Sequence, residues 1–170
     1  MHLGADDTNR ALLAEIPDGP EGIARTLGVM RLMVRHFRRD PQIIALAAEL
    51  TAQLDDKDYA GEVEALHAFV RDSIRYLNDV NEVETVRTPL LTLEHGAGDC
   101  DDQAVLLASL LEATGKPTRF VAAGFMGGDL EHVWTEAKVG DSWYALETTE
   151  PVPMGWRPPG ITTRLVVRNS

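Results

Sequence analysis

Apolar side chains recur at steps of three and four residues through the first half of the chain, and this spacing predicts amphipathic helices. Three such helices are predicted, over residues 21–39, 41–54 and 59–77. Their apolar stripes consist of Ile23, Leu27, Met30, Val34, Phe37, Ile43, Ile44, Leu46, Ala47, Leu50, Val63, Leu66, Phe69, Val70, Ile74 and Leu77. The first half of the chain is therefore expected to be helical, with one face of each helix buried.

The pattern changes in the second half of the chain. A fourth helix is predicted over residues 100–114 and ends at a glycine-lysine-proline stop. Its inward face consists of Ala104, Leu107, Ala108 and Leu111. Alternating and β-branched residues then predict strands over 118–125, 132–139 and 142–147, and 164–168 could add a last strand. Helices followed by a meander of antiparallel strands indicate an α+β fold.

The domain organisation follows from the turn clusters and connections. Residues 1–20 are predicted to be a lead-in segment, and residues 21–170 a single domain. The connection over residues 78–98 is longer than a usual link between helices. Long connections in compact domains often serve a functional site. The alternative is that this connection only wraps the core.

Composition and charge narrow the class of protein. The chain has 44% apolar and 25% charged residues, as ordinary globular proteins do. Its net charge of -11 argues against a nucleic-acid partner, because neutralising phosphates requires a basic surface. A single cysteine cannot form an internal disulfide, which favours a reducing compartment. The sequence shows neither a signal-peptide pattern nor an apolar stretch long enough to cross a membrane. We therefore expect a cytoplasmic protein without a membrane partner, or a protein carried in an assembly that bypasses export.

The order of a thiol, an imidazole and a carboxylate along the chain indicates a catalytic site. Cys100 opens the fourth helix, where unpaired backbone amides favour a thiolate. His132 begins one predicted strand, and Glu147 ends its hairpin partner, so these two residues should lie at the same end of that hairpin. A histidine can take the thiol proton while a carboxylate orients its ring. This arrangement is what acyl transfer by a cysteine nucleophile requires.

Three aspartates, Asp99, Asp101 and Asp102, flank the thiol. Their negative charges should raise the pKa of Cys100 and oppose its ionisation. Three roles remain open for them: caps and first-turn acids of the helix, oxygen ligands of a cation, and contacts to substrate.

Other histidines and tryptophans are assigned more modest roles. His67 lies beside the stripe of the third helix and is expected to be partly buried or on the surface rather than a ligand. His95 lies shortly before the thiol and could line a cleft. Trp134 and Trp143 are expected to wall the site as core aromatics.

Several ordered motifs resemble those of the transglutaminase-like (papain-like) superfamily. The matching stretches are residues 98–104 (GDCDDQA), 106–111 (LLASLL), 115–119 (GKPTR), 132–134 (HVW) and 143–147 (WYALE). The resemblance covers about residues 63–150, and its GDCDD form is similar to small bacterial and phage-encoded members.

The resemblance implies a papain-like core with its nucleophile at the start of a central helix. It implies Cys100 as nucleophile, His132 as base and Glu147 as the orienting acid, at a position where the family usually has aspartate. The family's upstream oxyanion tryptophan has no clear counterpart, and Tyr76 is the candidate for that role.

Two main functions are expected, with a third held open. The first is acyl transfer at an amide or peptide bond, by hydrolysis of a peptide or protein substrate, with no cofactor and no metal. The second is a non-catalytic phage or bacterial assembly protein that keeps the fold as a peptide-binding module and is carried in the virion. The third is a metal-binding regulator using Asp101 and Asp102.

Overall fold

The computed structural model describes residues 12–13, 20–78 and 85–170. Apart from residues 12–13, the predicted lead-in falls almost entirely outside the described residues. The helices are α1 (Pro20–Phe37), α2 (Pro41–Thr51), α3 (Tyr59–Ser73), α4 (Pro89–His95) and α5 (Cys100–Ala113). The strands are β1 (Leu12–Leu13), β2 (Arg75–Tyr76), β3 (Thr85–Val86), β4 (Ala97–Gly98), β5 (Thr118–Phe125), β6 (His132–Val139), β7 (Ser142–Leu146) and β8 (Ile161–Arg168).

The main sheet is antiparallel, with its strands in the order β7-β6-β5-β8. Strands β5, β6 and β7 form the predicted meander, and β8 returns to pair with β5 on its other side. Gly140 has a φ of 60°, a left-handed conformation that glycine adopts without strain, and it turns β6 into β7. The α+β prediction is therefore confirmed.

Helix α5 lies at the centre of the fold. It packs against the sheet on one side and against the other helices on the other. The predicted inward stripe is buried, but so is every residue from Asp102 to Leu111. Periodicity detects a helix by the contrast between its buried and its solvent-exposed face. A helix buried on all sides lacks this contrast, so the four-residue stripe predicted from the sequence is smaller than the buried surface of α5. Among the described residues, no helix combines the length and the apolar character needed to cross a membrane.

The predicted end of the third helix, at residue 77, is wrong. Helix α3 ends at Ser73, and the chain becomes the short strand β2, which pairs in parallel with β4. The backbone N–H of Arg75 donates to the Gly96 carbonyl at 2.9 Å, and that of Leu77 donates to the Gly98 carbonyl at 3.0 Å. This long-range pairing overrides the helical periodicity of the segment. It also places β2 beside the residues that lead into α5.

The long connection contains a helix that periodicity did not reveal. Residues 79–84 of the connection fall outside the described residues, and the remainder holds β3, α4 and β4. Thr88 caps α4 by accepting a hydrogen bond from the Leu91 backbone N–H, Pro89 begins the helix, and Gly96 ends it with a φ of 60°. A threonine-proline start and a glycine stop are sequence signals of a helix, so α4 could have been found from them.

A proline-rich strap, residues 148–160, follows the edge strand β7. The Gly155 backbone N–H donates to the Ala145 carbonyl at 2.8 Å. Arg157 in the strap binds the fully buried Glu136 of β6, which also binds Arg119 of β5. The strap begins immediately after Glu147, and Gly155 and Arg157 fix it to the sheet.

Candidate active site

The start of α5 is shaped by two of the three aspartates. The Asp99 side chain accepts a hydrogen bond from the Asp102 backbone N–H at 3.0 Å, and the Asp102 carboxylate accepts one from the Asp99 backbone N–H at 3.3 Å. This is a reciprocal capping box, which satisfies backbone donors at a helix start. The capping role is therefore confirmed for Asp99 and Asp102.

Asp102 also ties the long connection to α5. Its side chain is buried, and its Oδ1 accepts a hydrogen bond from the Arg87 backbone N–H at 2.7 Å. The guanidinium of Arg87 lies 3.6 Å from Oδ2. Within the described ranges, no three histidine, cysteine, aspartate or glutamate side chains are grouped as a metal site would require.

The sulfur of Cys100 is partly buried among acidic groups. Its Sγ donates to Asp101 Oδ1 at 3.7 Å. Burial raises the pKa of the Cys100 thiol well above its ordinary value, and the charges of Asp101 and Asp99 raise it further. The Val133 backbone N–H binds the sulfur and acts in the opposite direction without prevailing. Burial first, and the acidic neighbours second, therefore favour the protonated thiol over the thiolate.

His132 and Glu147 are in direct contact. His132 Nε2 lies 2.6 Å from Glu147 Oε2 at one end of the hairpin. The pairing of Thr135 with Leu146 places them there, because His132 begins β6 and Glu147 follows the last residue of β7. The carboxylate is buried, while one fifth of the imidazole side chain is exposed. Since a carboxylate can only accept, Nε2 carries the hydrogen, and Nδ1 is the nitrogen left for a further partner.

The carboxylate of Glu147 is held ionised by its donors. Its Oε1 accepts hydrogen bonds from the backbone N–H and the hydroxyl of Thr149, each at 2.9 Å. Burial acts to raise the pKa of Glu147, but the bonds from His132 and Thr149 outweigh it, so the pKa lies below its ordinary value. A charged carboxylate facing an imidazole stabilises the imidazolium form of that ring.

The backbone at the start of β6 lies against the thiol. Val133, whose backbone N–H binds the Cys100 sulfur, is the residue next to His132. In the structure, the hydrogen bond from the sulfur goes to Asp101, and the imidazole is bonded to Glu147. Two of the three predicted residues are thus in contact, and the sulfur of the third meets the backbone next to His132 while its own proton goes to Asp101.

Tyr76 lies next to this cluster. Tyr76 pairs with Gly98 in the β2–β4 strand pair, and Gly98 precedes the nucleophile by two residues. Its hydroxyl donates to Asn78 Oδ1 at 2.5 Å. Partial burial raises the pKa of the Tyr76 phenol, and the negative charges of Cys100 when it is ionised, of Asp99 and Asp101, and of Glu147 contribute in the same direction.

Sequence reasoning missed the role of His67. This residue of α3 is fully buried, rather than partly buried or on the surface as predicted. Its Nε2 lies 2.6 Å from the backbone carbonyl oxygen of Glu147. Its position beside the apolar stripe of α3 was the available signal, but the partner became visible only in the fold. His95, by contrast, is exposed in the last turn of α4.

The two tryptophans differ in their environments. Trp134 is fully buried, as expected of a core aromatic, and its ring centroid lies 5.9 Å from that of His132. Trp143 packs under the guanidinium of Arg119, whose central carbon lies 4.3 Å from the ring centroid. Trp134 therefore forms a wall of the site. Trp143 instead makes cation–π contacts with Arg119 and Arg168 on the sheet.

Solved structures share this fold at low sequence identity. A protein from Cytophaga hutchinsonii described as a putative cysteine protease matches with a TM-score of 0.54 and 18% identity, over 76% of this chain and 51% of its own. A protein from Parabacteroides distasonis described as a putative protease matches with a TM-score of 0.58 and 16% identity, over 75% of this chain and 27% of its own. The chain thus spans about half of the first protein and about a quarter of the second.

Sequence comparison identifies the family. No curated protein matches the chain. The family model of the transglutaminase-like superfamily matches residues 44–148, which is more than half of the chain. The region contains Cys100, His132 and Glu147 and the motifs that resembled this family. The chain therefore belongs to the transglutaminase-like superfamily.

Proposed function

We propose that this protein hydrolyses an amide or peptide bond through a Cys-His-Glu triad. Cys100 is the nucleophile, His132 the general base and Glu147 the acid that orients the imidazole. The observation that carries the proposal is the 2.6 Å contact between His132 Nε2 and Glu147 Oε2, beside a thiol at the start of a buried helix. Both structural neighbours are described as putative proteases, which supports a protein or peptide substrate.

In the first step, the Cys100 sulfur attacks the carbonyl carbon of the scissile bond. Because the thiol is protonated at rest, its proton moves to His132 Nδ1 as the new carbon–sulfur bond forms. This transfer requires the thiol hydrogen to turn from Asp101 to the imidazole. The ionised Glu147 stabilises the imidazolium that results.

The carbonyl oxygen becomes an oxyanion that needs hydrogen-bond donors. The backbone N–H of Cys100 is one, since the first amides of a helix have no partners within it. The hydroxyl of Tyr76 supplies a second donor if it leaves Asn78 when substrate binds.

The remaining steps release both products. His132 returns its proton to the nitrogen of the leaving amine as the carbon–nitrogen bond breaks, which leaves a thioester on Cys100. Water then attacks the thioester, giving one proton to His132. Collapse of this second intermediate breaks the carbon–sulfur bond and releases a carboxylic acid, and His132 returns its proton to the sulfur to restore the thiol.

Mass spectrometry in water enriched in oxygen-18 tests this proposal. The protein is incubated with a complex peptide mixture, and newly formed carboxyl termini are examined for the label. Hydrolysis predicts labelled termini that the Cys100→Ala and His132→Ala variants do not produce. If new amide links form without labelled termini, the reaction is transamidation. If neither product forms, the protein is not a peptide hydrolase.

A non-catalytic peptide-binding module is the second candidate. The sulfur's hydrogen bond to Asp101, and its raised pKa, favour this alternative. Because the chain has one cysteine, iodoacetamide reports on that thiol alone. An enzyme predicts alkylation that slows about tenfold or more in His132→Ala. A binding module predicts slow alkylation that is indifferent to this change.

A further inference from the structure

We propose that His67 is a positioning residue that holds the backbone of Glu147 at the distance its side chain needs to reach His132. This inference rests on the proposed function of Glu147. Its basis is the 2.6 Å hydrogen bond between His67 Nε2 and the Glu147 carbonyl oxygen, which joins α3 to the end of β7. Both residues are buried, so water does not compete for this bond.

The protonation state of His67 follows from its partner. A backbone carbonyl can only accept, so Nε2 must carry the hydrogen of the ring. Burial lowers the pKa of His67 and opposes a charged ring, and Arg71 on the same helix acts in that direction too. The hydrogen bond to the Glu147 carbonyl acts the other way, as do the charges of Glu147 and Asp72, but they do not outweigh burial. His67 is therefore a neutral donor that restrains Glu147 without adding charge beside its carboxylate.

A second hydrogen bond from α3 restrains the same segment. Arg71 lies one turn after His67 and therefore on the same face of the helix. Its Nη1 donates to the Val152 carbonyl oxygen at 3.0 Å. Together the two side chains hold residues 147–152 at both ends, with Thr149, a donor to the Glu147 carboxylate, between them.

A glutamate in this position has a particular need for such a restraint. Its side chain has one more rotatable bond than that of aspartate, so its carboxylate can occupy more positions relative to the backbone. Fixing the carbonyl of Glu147 from α3, and its carboxylate from Thr149, leaves Oε2 in one position opposite the imidazole. In this arrangement His67 acts on the reaction only through Glu147.

A matched pair of amide variants separates positioning from simple packing. In His67→Gln, the side-chain nitrogen falls near the place of Nε2 and can still donate to the carbonyl. In His67→Asn, the nitrogen falls near Nδ1 and cannot reach it. Both substitutions put a polar amide in the same buried site, so a difference between them reports the hydrogen bond rather than the polarity.

The first measurement does not depend on activity. The proton on His132 Nε2, bonded to a carboxylate at 2.6 Å, should give a low-field resonance in the proton NMR spectrum that Glu147→Gln abolishes. We expect His67→Gln to keep this resonance and His67→Asn to lose or shift it. If both variants keep it unchanged while losing thermal stability equally, His67 only fills the core and the proposal is overturned.

The second measurement compares kcat and KM of the hydrolysis. In His67→Asn, kcat should fall about tenfold to a hundredfold with little change in KM. Glu147→Gln should lower kcat further, and His67→Gln should restore kcat to near the wild-type value. An unchanged kcat in His67→Asn, or a change in KM alone, would contradict the proposal. If the wild-type protein hydrolyses nothing, the proposed function fails, and the NMR comparison still decides whether His67 positions Glu147.

Discussion

Thr135 donates its hydroxyl to the backbone carbonyl oxygen of Ala104 at 2.9 Å, and this bond joins the sheet to the nucleophile helix. Ala104 lies one turn into α5, and Thr135 lies three residues into β6. Both residues are buried, and the bond fixes the position of β6 along the axis of α5. The relative position of Cys100 and His132 depends on that register.

Thr135→Val removes the hydroxyl and keeps the shape of the side chain. We expect a loss of about 1–2 kcal/mol in the free energy of unfolding, the usual cost of losing a buried hydrogen bond. We also expect slower alkylation of Cys100, because the imidazole is less well placed. Urea denaturation and iodoacetamide kinetics measure the two effects. Thr51→Val, which removes a hydroxyl that bonds only within α2, should leave the alkylation rate unchanged.

Glu147→Gln should disable the triad while keeping its size. An amide NH₂ facing His132 Nε2 favours the ring tautomer with its hydrogen on Nδ1, which cannot accept the thiol proton. The hydrolysis rate should fall by about three to four orders of magnitude, as expected when the orienting acid loses its charge. Glu150→Gln, an exposed neighbour, is the control, and equal losses in the two variants would contradict the role of Glu147.

The lowered pKa of Glu147 also makes stability depend on pH. Because its pKa is lower in the folded than in the unfolded protein, Glu147 contributes stability at pH values above its ordinary pKa of 4.5. That contribution is lost as the pH falls through 4.5 towards the folded-state value. Thermal melts between neutral pH and about pH 3 should therefore show a shallower decline for Glu147→Gln than for the wild type. Parallel declines would show that His132 and Thr149 do not favour the ionised form.

Asp101→Asn should make the thiol more reactive. It removes the nearest negative charge from Cys100 and with it one cause of the raised pKa. Each unit by which the pKa falls raises the thiolate fraction about tenfold below the pKa, so alkylation at neutral pH should accelerate. Asp141→Asn, in the turn at the far end of the hairpin, is the control and should not change the rate. An alkylation rate that is unchanged in Asp101→Asn would show that the charge of Asp101 does not contribute to the raised pKa of Cys100.

Gly98→Ala should disturb the start of α5. A Cβ at Gly98 would lie 2.7 Å from the Cβ of Asp102, a contact that real structures do not tolerate without movement. We expect a loss of about 1–3 kcal/mol in the free energy of unfolding, typical of overpacking. Gly28→Ala in α1 meets nothing within 4 Å and should be neutral or stabilising by up to about 1 kcal/mol. Similar effects of the two changes in urea denaturation would contradict this account.

The sequence by itself determined the features that depend on local signals. The capping box around Cys100 is one, because its donors and acceptors lie within a few residues of each other. The hairpin that brings His132 and Glu147 together is another, because a glycine turn and alternating strands set its register. The family followed from the same motifs, and its model matches the region that contains them.

Only the tertiary structure decided the features that depend on distant parts of the chain. The end of α3 at Ser73 follows from pairing with β4, which no periodicity within α3 can reveal. The bond from His67 to Glu147 joins residues on separate elements. The protonated state of Cys100 follows from a balance between burial, two carboxylates and one amide. Desolvation and long-range hydrogen bonds arise only when the elements pack together. Local sequence patterns therefore do not predict the combined effect of these interactions on the pKa of a side chain.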